Sequence, residues 1–134
     1  MLKIIVAVFT LVIFPLMALS HSPLEKAIPT DGAVLSTPLT EYKMLFKSPA
    51  KLIKFEIFQM GQNDQKNSSF LKTLLKKSTG KMVDINYKPA LVFLKNHVIK
   101  LPNINTGSYE VRWRAMGEDG HVLKGILTFE IKGK

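Results

Sequence analysis

GSYEVRWRAMGEDGHVLKGILTF, residues 107–129, is the stretch whose reading decides the fold. Tyr109, Val111, Trp113 and Ala115 alternate with Glu110, Arg112 and Arg114, the period-2 pattern of a strand with one buried and one wet face. Gly117-Glu118-Asp119-Gly120 follows as a turn, because an Asp-Gly pair tolerates the positive φ that tight hairpins demand. The chain then resumes over residues 123–131 with Leu127, Phe129 and Ile131 facing inward against Thr128, Glu130 and Lys132. Two antiparallel strands are expected, with Tyr109, Val111, Trp113, Leu127, Phe129 and Ile131 in one core and the Trp113 indole N–H given a partner. Arg112 and Arg114 belong on the wet face, paired with neighbouring acids, with docking to a partner as the weaker alternative. The connection offers a carboxylate and an imidazole together, Asp119 and His121, on either side of a glycine. Such a pair can begin a metal site without completing one, and a polar turn beside a solvated histidine is the alternative.

Outward from this hairpin the same alternation recurs. Residues 22–29 form a first strand with a proline near each end, and Pro29-Thr30-Asp31-Gly32 makes a turn. Pro38 opens a strand over residues 40–47 with Tyr42, Met44 and Phe46 facing one way, and Pro49 closes it. Residues 51–59 alternate again, Ile53, Phe55 and Ile57 against Lys54 and Glu56. Residues 62–69 read as a polar loop, and residues 70–77 suit a helical turn as well as a strand. Residues 82–87 alternate weakly, and residues 91–101 make a further strand before a Pro102-Asn103 turn. About seven short strands separated by Pro, Gly and Asn turns define an all-β chain, a Greek-key β-sandwich.

Residues 1–20 read as a signal peptide: Lys3, an apolar run from Ile4, and a small-x-small site at Ala18-Leu19-Ser20. The run is shorter than the roughly 20 residues a spanning helix needs, so cleavage is preferred to an uncleaved anchor. Cleavage after Ser20 makes His21 the first residue and leaves residues 21–134, the size of one ordinary domain. The formal net charge of +9 is spread over scattered lysines. A solvated basic surface is preferred to a nucleic-acid footprint, which also wants interleaved exposed aromatics, while attraction to anionic lipid headgroups stays open. The absence of cysteine excludes disulfides, thiolate zinc sites and blue-copper ligation, so any metal must use nitrogen, oxygen or methionine sulfur. Met44, Met60, Met82 and Met116 are scattered and are expected as core filler. His97 sits in a strand with no motif around it and is expected as a surface or packing residue.

His21 at a freed N-terminus, Pro-x-Asp-Gly-Ala at residues 29–33, Phe46-Lys47-Ser48-Pro49, Gly-x-Tyr-x-Val-x-Trp-Arg, Glu-Asp-Gly-His and the later Gly-x-x-x-Phe together resemble the CopC family of periplasmic copper-resistance proteins. The resemblance implies a cupredoxin-like or immunoglobulin-like sandwich that binds one Cu(II) per chain through His21, Asp119 and His121. It also implies a periplasmic monomer, exported by its cleaved signal peptide, that is not an enzyme and has a CopD-type inner-membrane partner. The chemistry is coherent. A terminal histidine offers its α-amine and ring nitrogen as a chelate, and an amine with a pKa near 8 yields its proton readily to a metal. His121 and Asp119 add an imidazole and a carboxylate, a tetragonal nitrogen and oxygen set of the kind Cu(II) prefers. Pro23 lacks an amide proton, so a peptide-type site using the third residue's nitrogen is blocked. Where many family members carry Phe-Ser-Glu-Pro this chain has Phe46-Lys47-Ser48-Pro49, so an acidic group near the site is missing and a lysine has entered. Two other classes compete with a copper carrier: a copper-dependent oxidase built on an N-terminal His chelate, and a metal-free interaction module with a basic surface.

Overall fold

A computed structural model describes residues 23–61 and 80–133, and every element in them is a β-strand. The strands are β1 (Leu24–Ile28), β2 (Ala33–Leu35), β3 (Leu39–Met60), β4 (Lys81–Val83), β5 (Leu94–Ile104), β6 (Gly107–Gly117) and β7 (Val122–Ile131). β3 runs for 22 residues and serves both layers. Its first part lies between β1 and β5, with Ala27 opposite Met44 and Val98 opposite Lys43. Its second part pairs with β6 and, near its end, β4. β6 pairs with β7, and β2 lies parallel to β7 at the far edge. The all-β, seven-stranded sandwich anticipated from alternation is what forms.

The two parts of β3 face each other across the core. Tyr42 meets Phe55 with ring centroids 5.3 Å apart, and Phe46 meets Trp113 edge-on at 5.3 Å. Tyr109 stacks on Phe129 at 5.2 Å. Tyr109, Val111, Trp113, Phe129 and Ile131 are buried together, and Leu127 packs half-buried against them. The Tyr109 hydroxyl donates to the Asn105 carbonyl at 2.9 Å, a tyrosine corner that ties the start of β6 to the turn before it. The Pro-x-Asp-Gly-Ala turn has a similar role: the N–H and the hydroxyl of Thr128 both donate to Asp31 Oδ1, at 2.8 and 3.0 Å, which seats β2 beside β7.

Several expectations are corrected. Pro49 does not close a strand; it sits inside β3, in the interval between Leu45 and Ala50 where the register against β5 shifts and a missing N–H costs no ladder bond. Ile53 does not point inward. A register shift between Leu52 and Lys54 turns Leu52 into the core instead and leaves Ile53 half-buried, as a bulge does. β5 starts at Leu94 and continues through Pro102 to Ile104. Strand β2 was not anticipated, being only three residues long. Glu110 is buried, because Arg112 donates to its carboxylate at 2.6 Å while lying over the Phe58 ring. Met44 is core, but Met60 and Met116 are half-buried and Met82 is exposed. The loop expected at residues 62–69 and the segment 70–77 lie outside the described residues.

Trp113 is buried as expected, but its indole N–H finds no acceptor among the described residues. Its ring lies flat on Gly125, its cross-strand partner on β7. A Cβ at residue 125 would stand 2.7 Å from three indole atoms. The ring is wedged by Phe46 and cannot yield cheaply, so Gly125→Ala is expected to destabilise the domain by about 1–3 kcal/mol in urea unfolding. An unchanged midpoint would show that the indole does not occupy this position.

Candidate metal centre

The β6–β7 hairpin carries the two described donors. Gly117 N–H donates to the His121 carbonyl and Gly120 N–H to the Gly117 carbonyl, both at 3.0 Å, closing a tight turn. Gly120 adopts φ +81°, a conformation that glycine takes without strain. Gly117 is needed for a different reason, since a Cβ there would lie 2.8 Å from Asp119 Oδ1. The turn therefore holds the Asp119 carboxylate against its own backbone and aims it at His121. The His121 N–H donates to Oδ1 at 3.0 Å, and Nδ1 of the ring lies 2.8 Å from Oδ2.

Both side chains are open to solvent, His121 at 82% and Asp119 at 68% of their full exposure. The Asp119 carboxyl is held below the usual carboxylate range, chiefly by its hydrogen bond from the His121 ring. The imidazole is correspondingly raised above its ordinary value by the hydrogen bond to Asp119 and by that charge. Nδ1 and Oδ2 stand 2.8 Å apart in this hydrogen bond, a separation that two cis ligands each about 2.0 Å from one metal would also have. Among the described residues no further His, Cys, Asp or Glu joins the pair to make a group of three. A complete coordination shell needs a donor from elsewhere.

His21 lies outside the described residues, as do residues 1–20. The chain is first described at Pro23, whose carbonyl accepts from the Lys47 N–H at 3.0 Å. Lys47 precedes by three residues Ala50, which pairs with Gly117 at the base of the hairpin. The start of β1 and the Asp119–His121 turn thus converge on the same bend of β3. Lys47 and Ser48 are exposed.

His97 is a packing residue. It is buried, its ring stands edge-on to Phe46, and Nε2 lies 3.0 Å from the Ala50 carbonyl and 3.1 Å from the Leu94 carbonyl. Two acceptors require that Nε2 carry the proton. Sequence reasoning did not foresee this clamp on the β3 bend, and the only signal was an imidazole on the inward phase of β5. Arg114 is exposed, in register with Lys54 and Lys124 across three strands.

A largely antiparallel β-sandwich with a carboxylate–imidazole turn on its β6–β7 hairpin defines a class, and comparison with known proteins specifies it. Residues 24–132 match the family model of the CopC domain, and the chain belongs to that family. CopC from Methylosinus trichosporium OB3b is similar in structure, with a TM-score of 0.56, 21% identity, and 84% of this chain and 95% of that one covered. PcoC from Escherichia coli, a methionine-rich copper resistance protein, is similar with a TM-score of 0.57 and 19% identity over 84% of this chain and 100% of its own. The selenomethionine form of PcoC gives 0.55 and 20% over 81% and 98%. At these identities the likeness establishes the fold. No curated protein matches by sequence.

The hydrogen-bonded pair has a definite pH signature in the metal-free protein. The lowered Asp119 pKa favours the folded state above the usual carboxylate range and is lost as pH falls through the folded value. The raised His121 pKa favours it below the ordinary imidazole range and is lost as pH rises through the folded value. The ion pair is complete only between the two. In an NMR titration of the ring protons His121 is expected to titrate above the unperturbed value near 6.5, and Asp119→Asn to bring it back down. A midpoint indifferent to that substitution would contradict the pairing.

Proposed function

We propose that this chain is an exported Cu(II)-binding protein of the periplasm, a carrier or sequestering protein in copper resistance or homeostasis rather than an enzyme. Residues 1–20 are its cleaved signal peptide and residues 21–134 its copper-binding domain. One Cu(II) is the cargo of each monomer, held by the α-amine and ring of His21 with Asp119 and His121. Its recipient is a CopD-type inner-membrane protein.

Family membership supports the copper chemistry, and the convergence of the first described residue with the Asp119–His121 turn is the observation that carries the site. His21 is two residues upstream of Pro23, a stretch that can span at most about 7 Å. Pro23 is anchored on Lys47, about 10 Å along β3 from the residue that pairs with the hairpin base. The reach of a histidine chelate suits that gap. The donor set fits the ion, since two imidazoles, an amine and a carboxylate match Cu(II) and no thiolate is present to favour other metals. Two exposed donors on a short turn also suit a cargo that must be surrendered, because a buried, fully enclosed site would release it slowly.

The test is a Cu(II) competition titration on protein beginning at His21. His21→Ala and His121→Ala are each expected to weaken binding by orders of magnitude, because chelating ligands act together. Wild-type affinity should fall as pH drops from about 8 to 5, since every nitrogen donor must be deprotonated. The raised His121 pKa places the onset of that fall above the ordinary imidazole range. Affinity that ignores pH, or survives loss of His121, would assign the copper to other ligands.

A further inference from the structure

The segment leading into β5, Ala90-Leu91-Val92-Phe93-Leu94-Lys95, takes no part in the proposed copper site. Ala90 packs against the core and Phe93 is half-buried, but three of the segment's aliphatic side chains face solvent: Leu91 is 86% exposed, Val92 57% and Leu94 45%. Single exposed aliphatics are ordinary on protein surfaces, but here two adjacent ones on a bend, Leu91 and Val92, are followed by a third, Leu94, at the first position of β5. The bend is held at both ends. Ala90 N–H donates to the Leu52 carbonyl at 2.9 Å, Leu94 pairs with Ala50, and the His97 ring clamps the Leu94 carbonyl.

Charge surrounds this apolar tip. Lys51 Nζ lies 4.5 Å from the centroid of the Phe93 ring, and exposed Lys88 and Lys95 flank the bend in the chain. No acidic residue occurs between Asp84 and Glu110, nor in β3 between Glu41 and Glu56. Among the described residues the neighbouring hairpin carries Glu118 and Asp119, reached through Ala50, which pairs with Leu94 on one side and Gly117 on the other, and Glu25 stands near the start of β1.

We propose that this bend docks the domain on an anionic lipid bilayer, Leu91, Val92 and Leu94 entering the boundary between headgroups and acyl chains while Lys51, Lys88 and Lys95 meet lipid phosphates. Lipid is favoured over a protein partner by size. Three exposed apolar side chains fall well short of the roughly 800 Å² per partner of a stable protein interface, whereas peripheral membrane binding needs only a few apolar side chains assisted by basic charge. Docked this way, the Asp119–His121 hairpin sits beside the membrane. That consequence rests on the copper reading above; the lipid contact does not.

Sedimentation of metal-free protein beginning at His21 with sucrose-loaded vesicles decides the matter. The protein is expected to pellet with phosphatidylcholine vesicles containing about 30 mol% phosphatidylglycerol, to stay in solution with phosphatidylcholine alone, and to be released by added salt. Leu91→Ser/Val92→Ser and, separately, Lys88→Glu/Lys95→Glu should each lower the partition coefficient about tenfold or more with unchanged circular dichroism, since all four side chains are exposed. Absence of binding to the anionic vesicles, or binding that either double variant leaves intact, overturns the proposal. So does a concentration-dependent dimer that Leu91→Ser/Val92→Ser dissolves without any vesicle binding, which would assign the bend to a second copy of the chain. Because no copper is present, a negative result here leaves the metal site untouched, and a failed copper titration leaves this surface untouched.

Discussion

The inward face of β3 must stay covered while the strand exchanges one set of neighbours for another, and Ala50 is where the exchange happens. Ala50 is fully buried, pairs with Leu94 on one side and Gly117 on the other, and gives its carbonyl to the His97 ring. A small side chain there lets three strands meet. Before it, Tyr42, Met44 and Phe46 point into the core; beyond it, Leu52, Phe55 and Ile57 do. Because β3 is shared by both layers, the two halves of the sandwich cannot slide past one another without breaking this junction.

The same junction gathers what the function uses. Pro23 is tied to Lys47 just before it, the Asp119–His121 turn closes on Gly117 across from it, and the apolar bend at residues 90–94 is fastened to Leu52 and Ala50 just after it. Three segments distant in sequence are brought to one end by backbone hydrogen bonds rather than by side-chain chemistry. The hairpin itself is almost self-sufficient, since Asp119 is positioned by its own turn and by the His121 N–H. A donor pair made locally and a first strand, β1, delivered by the ladder are separate devices, and the proposed copper site depends on both.

Much of the fold was legible because one buried face imposes a period of two. The phases of residues 40–47, 109–115 and 127–131 follow from it, and the residues they name are found buried, Leu127 excepted, which packs half-buried at the edge of the core. What escaped is what breaks that period or acts over long range. The bulge at Ile53 shifts the phase by one residue, and Pro49 was taken as a stop because its missing N–H is harmless only where the ladder happens to lapse. Glu110 reads as a surface acid, yet Arg112 and Phe58 cover it. Trp113 was expected to satisfy its N–H, but contact with Gly125 and Phe46 determines its position. Of the candidate site, the spacing of Asp119 and His121 was readable because their contact spans two residues. The bond between Pro23 and Lys47, and the clamp of His97 on Ala50, are tertiary facts that no local pattern encodes.

The central claim is that a chain terminus supplies the strongest ligand, and it can be tested by altering that terminus alone. Cu(II) affinity and the electron paramagnetic resonance spectrum should be compared for protein beginning at His21 and for the same protein bearing one additional N-terminal residue. The extension keeps every side chain but converts the α-amine into an amide, a poor ligand at neutral pH. The account predicts a loss of orders of magnitude in affinity and a changed nitrogen pattern in the spectrum of the extended form. Equal affinity and identical spectra would contradict it.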